Sequence, residues 1–271
     1  MKSAFWKSLL VCMTLGLLQC GKPTASNNAE NPQGKVILAI FAHPDDEATI
    51  SPVLAKYAGL GATVYVAVAT DGRYGVTEHA KIPAGDSLAA VRAQEMKCAA
   101  EKLGIQEPIM FGLHDQLRMQ EGYAGVHGQL DTMRTRVKKL FEDLKPDVVL
   151  TWNASGWTGH HDHRLGSAVV TEVFQSQKWA KPAQLYYAAI PTGNLPADSP
   201  MQLATVDLSY LTTQIPISEA DYAKAKESWL CHKSQYTPEM IEAMHAMTVG
   251  ASKGVTYFHS VIPETPKKTL F

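Results

Sequence analysis

This chain has no excess of charge of either sign: 25 Lys and Arg stand against 26 Asp and Glu. The formal net charge of −1 falls by two, to −3, once Lys2 and Lys7 leave with an N-terminal leader. Without a basic surplus there is no electrostatic case for nucleic acid as a partner. No Gly-x-Gly-x-x-Gly follows the first apolar run, which argues against a dinucleotide site. Cysteine is scarce, at four residues, and none has the spacing of a metal site. No internal repeat is present. The apolar run Leu9–Leu18 is too short for a confident transmembrane span.

That run reads instead as the core of a signal peptide over residues 1–19, with Lys2 and Lys7 as its basic start. It ends at Leu17-Leu18-Gln19-Cys20-Gly21, which resembles a bacterial lipoprotein cleavage box. The expectation is a lipidated Cys20 and a polar, turn-rich tether over residues 20–34, then one folded domain over residues 35–271. The protein would be exported, facing the periplasm or cell surface, and held to the membrane only through lipid. Cys12 would leave with the leader, so Cys98 and Cys231 remain, and the sequence leaves their pairing open.

What the chain does have is two clusters of metal-ligating side chains. The run Val36–Ala42 reads as a buried strand and ends at His43-Pro44-Asp45-Asp46. A second apolar run, Val148-Val149-Leu150, leads through a Gly/Ser/Asn-rich loop to Gly159-His160-His161-Asp162-His163. Taken alone, Asp45-Asp46 could cap a helix, and the histidines could form an exposed tract with adventitious metal affinity. Their joint occurrence, each at the end of an apolar strand, argues for one site. Mixed His and carboxylate ligands with a position left open for water are a known zinc arrangement. A neighbouring carboxylate can then act as base, and a neighbouring imidazole can stabilise developing charge.

Ala42-His43-Pro44-Asp45-Asp46-Glu47 together with Gly159-His160-His161-Asp162-His163 resembles the LmbE-like (PIG-L) family of zinc-dependent N-acetylglucosamine deacetylases. His161 stands where that family usually has Pro. Thr70-Asp71-Gly72, Arg92-x-x-Glu95 with Leu103-Gly104, and Lys226 through His232-Lys233-Ser234-Gln235 extend the resemblance over roughly residues 35–240. It implies that His43, Asp46 and His163 bind one Zn2+ per chain, with Fe2+ or Co2+ suiting similar ligands. It implies Asp45 as general base and His160 as the group that polarises the carbonyl or holds the oxyanion. As a protonated donor, His160 would set the high-pH limb of the rate profile. Asp162 would orient a histidine from behind. Arg73 stands where many relatives carry Glu, and would favour an acidic group on the substrate. Arg92 is a candidate for gripping substrate. The implied reaction removes an acetyl group from an N-acetylated amino sugar or glycoconjugate. Its rivals are a zinc amidase acting on another amide, a silent carbohydrate-binding relative and a metal-binding lipoprotein.

The remaining pattern alternates. Strands are expected at 35–42, 63–69, 109–111, 147–152 and 184–190, and an edge strand at 205–208. Helices are expected near 50–58, 87–103, 130–144, from Arg164, 219–232 and 238–246. Alternation of this kind predicts a Rossmann-like α/β fold, a mostly parallel sheet with helices on both faces. His79, His114 and His127, in loops or at their edges, read as solvated. His232 reads as a polar helix residue capping a neighbour, singled out only by the resemblance.

Overall fold

The computed structural model describes residues 31–195, 202–262 and 268–270. The leader, Cys20 and most of the tether lie outside the described residues. Among the described residues seven strands form one sheet: β1 (Val36–Phe41), β2 (Thr63–Thr70), β3 (Ile109–Leu113), β4 (Val148–Trp152), β5 (Gln184–Ala189), β6 (Thr213–Pro216) and β7 (Val255–Ser260). Their order is β3-β2-β1-β4-β5-β7-β6. The first five are parallel, and β7 and β6 are added antiparallel at one edge.

The helices are α1 (Ser51–Gly59), α2 (Asp86–Leu103), α3 (Gly122–Leu144), the single turn α4 (Gly156–Gly159), α5 (His161–Gln175), α6 (Glu219–Trp229) and α7 (Pro238–Ser252). Side chains of β1 alternate between two cores, as the strand period requires. Ile37, Ala39 and Phe41 pack with α1 and α2, while Leu38 and Ile40 pack with Met133, Val137 and Phe141 of α3 and Val169, Val170 and Val173 of α5. Burying each of these large side chains is worth about 1.5–3 kcal/mol. Among the described residues no helix is long and apolar enough to cross a membrane.

The chain runs outward from β1 to β2 and β3, then returns to place β4 on the other side of β1. That reversal opens a crevice at the carboxyl ends of β1 and β4, where open α/β sheets bind ligands. Both histidine clusters follow these two strands.

Some expectations need correction. The segment 205–208 is no strand; it makes one isolated bridge, Pro191 with Val206, and enters a 3-10 turn at Leu208–Tyr210. The edge is instead built by β6 and β7, hidden in the sequence because Pro216 closes a four-residue strand and β7 starts only after α7 has run on to Ser252. α5 begins at His161 rather than Arg164, because His160 caps it: its Nδ1 accepts from Asp162 N at 3.2 Å. Cys98 and Cys231 form a disulfide across 133 residues, tying α2 to the end of α6.

Candidate metal centre

His43 leaves β1 directly into the crevice. Its Nδ1 lies 3.2 Å from His163 Nε2 and 3.6 Å from Asp46 Oδ2, and His163 Nε2 lies 3.2 Å from Asp46 Oδ1. Ligands at the usual zinc distances stand about 3.4 Å apart around a tetrahedron. The three side chains therefore converge at about the separations such a site needs, with Asp46 turning Oδ1 toward His163 and Oδ2 toward His43. Asp46 is fixed by accepting from the backbone N–H groups of Ala42 (3.0 Å) and His43 (2.8 Å). The far nitrogen of each imidazole is also engaged. His43 Nε2 is 3.1 Å from Asp162 Oδ2 and 3.4 Å from Asp115 Oδ1, and His163 Nδ1 donates to Gly156 O at 2.9 Å. Such partners fix the tautomer that leaves the inner nitrogen free for a metal.

The electrostatics call for a cation. Burial alone would lower the pKa of His43, but Asp115, Asp162 and Asp46 outweigh it and hold the group well above its ordinary value. His163 is raised too, burial being overcome by Asp46. Burial would raise Asp46, but His163 and His43 hold it well below the usual carboxylate range. A divalent ion would supply the positive charge that three converging carboxylates demand, so the residues present fit one. His160 brings a third imidazole to within 4.8 Å of the His43 and His163 donors, although its Nδ1 is committed to capping α5.

Asp45 stands outside the donor triangle. Its Oδ1 accepts from Arg92 Nη2 at 2.9 Å and its Oδ2 from the Tyr236 hydroxyl at 3.2 Å. Its backbone is held at φ 101, ψ −14, a conformation that costs a non-glycine residue energy and that clusters at working sites. Burial raises its pKa, with Asp46 adding and Arg92 opposing. Glu47 lies beneath it, accepting from Asp45 N at 3.1 Å and from His232 Nε2 at 2.7 Å.

Arg92 and Arg73 sit differently from expectation. Arg92 is buried; its guanidinium donates to Gly72 O, Pro44 O and Asp45, so it orients the carboxylate rather than reaching out for substrate. Gly72 and Gly75 leave room for it, since a Cβ at either would collide with the guanidinium. Arg73 is bound to Asp71 at 2.7 Å and to Asp86 at 3.0 Å, so its charge is already answered within the protein. Asp162 takes the expected place behind His43. His161 stacks on His160, with Nε2 3.0 Å from Asp162 Oδ1 but without hydrogen-bond alignment. His232, expected as a cap, is instead fully buried against Glu47. His127 pairs with Asp131 at the surface, and His79 and His114 meet backbone carbonyls.

Asp115, Glu47 and Tyr236 were not singled out from sequence. Glu47 stands inside the first quoted motif beside Asp46, and Tyr236 carries no sign. Asp115 signals itself as a carboxylate just past the end of β3. It opens a turn in which Gln116, Leu117 and Arg118 all hold positive φ, and Gln116 N donates to Asp162 at 2.9 Å. Asp115, Tyr74 and Gln116 line, with Asp45, Arg92 and His160, a cavity of about 240 Å³ walled by polar side chains.

Donors of this kind in a switch-point crevice place the chain among Rossmann-like α/β proteins built to hold a divalent metal. The model of the family described as PIG-L: GlcNAc-PI de-N-acetylase matches residues 38–174, just over half of the chain, and the chain belongs to that family. A curated relative, the 1D-myo-inositol 2-acetamido-2-deoxy-alpha-D-glucopyranoside deacetylase of Salinispora arenicola, is 28% identical over 179 residues, covering 59% of this chain and 58% of the relative. The chain thus spans under two thirds of that relative. N,N'-diacetylchitobiose deacetylase from Pyrococcus horikoshii superposes with a TM-score of 0.61 at 18% identity, covering 84% of each chain. The 4-carboxy-2-hydroxymuconate hydratase from Pseudomonas putida KT2440 superposes with a TM-score of 0.60 at 15% identity, covering 87% of this chain and 99% of the hydratase. A hydratase shares the fold as fully as a deacetylase does, so the fold alone does not choose the reaction.

Proposed function

We propose that this protein is a zinc-dependent amide hydrolase that removes an acetyl group from an N-acetylated amino sugar or glycoconjugate. The observation that carries this reading is the donor triangle of His43, Asp46 and His163 with the separate carboxylate of Asp45 beside it. His43, Asp46 and His163 would hold the ion, with Fe2+ and Co2+ suiting the same donors. When bound, zinc acidifies the water it holds to a pKa of about 7 and polarises a carbonyl. Asp45, raised by burial and aimed by Arg92 and Tyr236, takes a proton from the attacking water and returns it to the leaving amine. The curated relative's named substrate, an acetamido sugar linked to inositol, supports a small glycoside as substrate. The engagement of Arg73 by Asp71 and Asp86 removes the reason to expect an acidic one. Purified protein should release acetate from at least one of a panel of N-acetylated amino sugars, and a chelator should abolish it. Release from none would refute the proposal.

His160 works here as a neutral donor, which revises the protonated role that sequence alone suggested. Burial, reinforced by His43, pushes its pKa down to about 4. With Nδ1 accepting from Asp162 N, the remaining proton sits on Nε2, free to donate to a developing oxyanion. His160→Ala should keep its metal and lose about 10²–10³ in kcat with little change in KM. Being neutral above about pH 5, His160 should set no break in the alkaline limb of the rate profile. An alkaline break that vanishes in His160→Ala would contradict this, and loss of metal in that variant would make His160 a ligand.

We also propose export and lipid anchoring at Cys20. The Cys98–Cys231 disulfide supports an oxidising compartment. Partition of the wild type into detergent, lost in Cys20→Ser, tests it; a wholly soluble wild type would refute it.

A further inference from the structure

A second cavity, of about 420 Å³, lies beside the catalytic residues. It falls in the size range of cavities that take small-molecule ligands. Asp45 and His163 line it as well as the polar cavity, so the two chambers meet at the reacting centre. Its character is otherwise opposite. Trp152, Trp157, Ile190, Leu203 and Tyr257 form much of its wall. α7 supplies another side: Met240, Met244, Met247, Thr248 and Ala251 all line it, at the spacing of one helix face. Ile241 is the only buried residue of α7, and Met244 packs partly against the small core of Ala48, Ala225, Trp229 and Ile241. Met240 is exposed and Met247, Thr248 and Ala251 are only half-buried, so most of this stripe faces the chamber rather than the core. Methionine side chains adapt to ligands of varied shape. The opposite wall is fixed: Trp157 is held at φ 58, ψ −69, and its indole donates to Ala188 O at 3.0 Å. Strain of that kind in a bulky residue persists only where its surroundings impose it, and it clusters at ligand sites.

An acetyl group needs no chamber of this size. We propose that the chamber binds the acyl chain of the substrate, so that the protein hydrolyses medium-chain N-acyl amino sugars as well as N-acetylated ones. This rests on the amide-hydrolase reading. The amide would lie where the chambers meet, with sugar hydroxyls toward Tyr74, Asp115 and Gln116 and the acyl chain toward Trp157 and Met244. Water's oxygen bonds to the carbonyl carbon and the C–N bond breaks. One water proton ends on the amine and the other leaves with the carboxylic acid. No co-reactant besides water is needed.

The test is a series of N-acetyl-, N-butanoyl-, N-hexanoyl- and N-octanoylglucosamine, followed by kcat/KM and by calorimetric binding to the metal-loaded protein. Each methylene that enters the chamber should tighten binding about fourfold, with kcat/KM rising alongside. Met244→Trp fills the chamber and should lower the octanoyl-to-acetyl ratio at least about tenfold in either readout. Ala251→Phe carries the same expectation should Met244→Trp not fold. A flat or falling series in both readouts, or an unchanged ratio in the filled variant, overturns the proposal and leaves the chamber to another occupant, such as a neighbouring segment of chain. Acetate release with no gain from chain length would refute this inference alone. A chain-length gain in binding with no turnover of any N-acyl sugar would support the chamber's ligand class and strike the hydrolase reading.

Discussion

Asp45→Asn is expected to keep its metal and to lose about 10²–10⁴-fold in kcat, the usual cost of a lost general base. The substitution is well matched to the site. Asn tolerates the positive φ of position 45 better than most residues. Its carbonyl can still accept from Arg92, and the Tyr236 hydroxyl can turn to accept from the new amide. What disappears is the ability to take up a proton. Asp46→Asn should behave differently, losing metal as well as rate, because Asp46 sits 3.2 Å from His163 Nε2 and carries the charge that holds both imidazoles in place. Metal content and kcat measured on both variants separate the roles. Identical behaviour of the two would show the division of labour to be wrong.

The second large effect concerns stability. His232 and Glu47 are both fully buried and meet at 2.7 Å. His232→Ala leaves a carboxylate buried without its partner, which typically costs about 3–5 kcal/mol. That is a large share of the ~5–15 kcal/mol that holds most domains folded. It should also lower kcat, since Glu47 accepts from the backbone of Asp45. His232→Gln can restore a hydrogen bond and should recover much of the loss. The pH dependence has a definite sign. Burial works to lower the His232 pKa, but Glu47 more than compensates and the group is raised. Its stabilisation is therefore complete below the unfolded value of about 6.5 and is lost as pH rises through the higher folded value. Urea unfolding at pH 6 and pH 9 should show the wild type losing its advantage over His232→Gln at the higher pH. A cost below about 1 kcal/mol for His232→Ala would mean that the buried His232–Glu47 pair does little to hold the fold.

The two clusters that converge on the candidate metal centre were legible because such a site concentrates unusual residue types at strand ends, and both announce themselves within five residues. The parallel core was legible for a similar reason, since runs such as Val36–Ala42 have few alternatives to a buried strand. The supporting residues were not. Tyr236 reaches Asp45 across 191 positions, and a lone tyrosine beyond a helix carries no local sign of its partner. Arg73 and Arg92 look alike as sequence, and only the fold reveals that Asp71 and Asp86 occupy one while Asp45 occupies the other. The apolar chamber escaped for another reason. The Met240, Met244 and Met247 stripe of α7 has only the apolar spacing any helix face can show, and its exposure to a cavity is a fact of packing.

The central claim is that His43, Asp46 and His163 hold a single divalent ion beside Asp45. Elemental analysis of purified wild type and His163→Ala tests it most directly. The wild type should carry about one ion per chain and the variant close to none, because two remaining donors do not complete a site of this geometry. A tightly bound ion fully retained in His163→Ala would contradict the assignment.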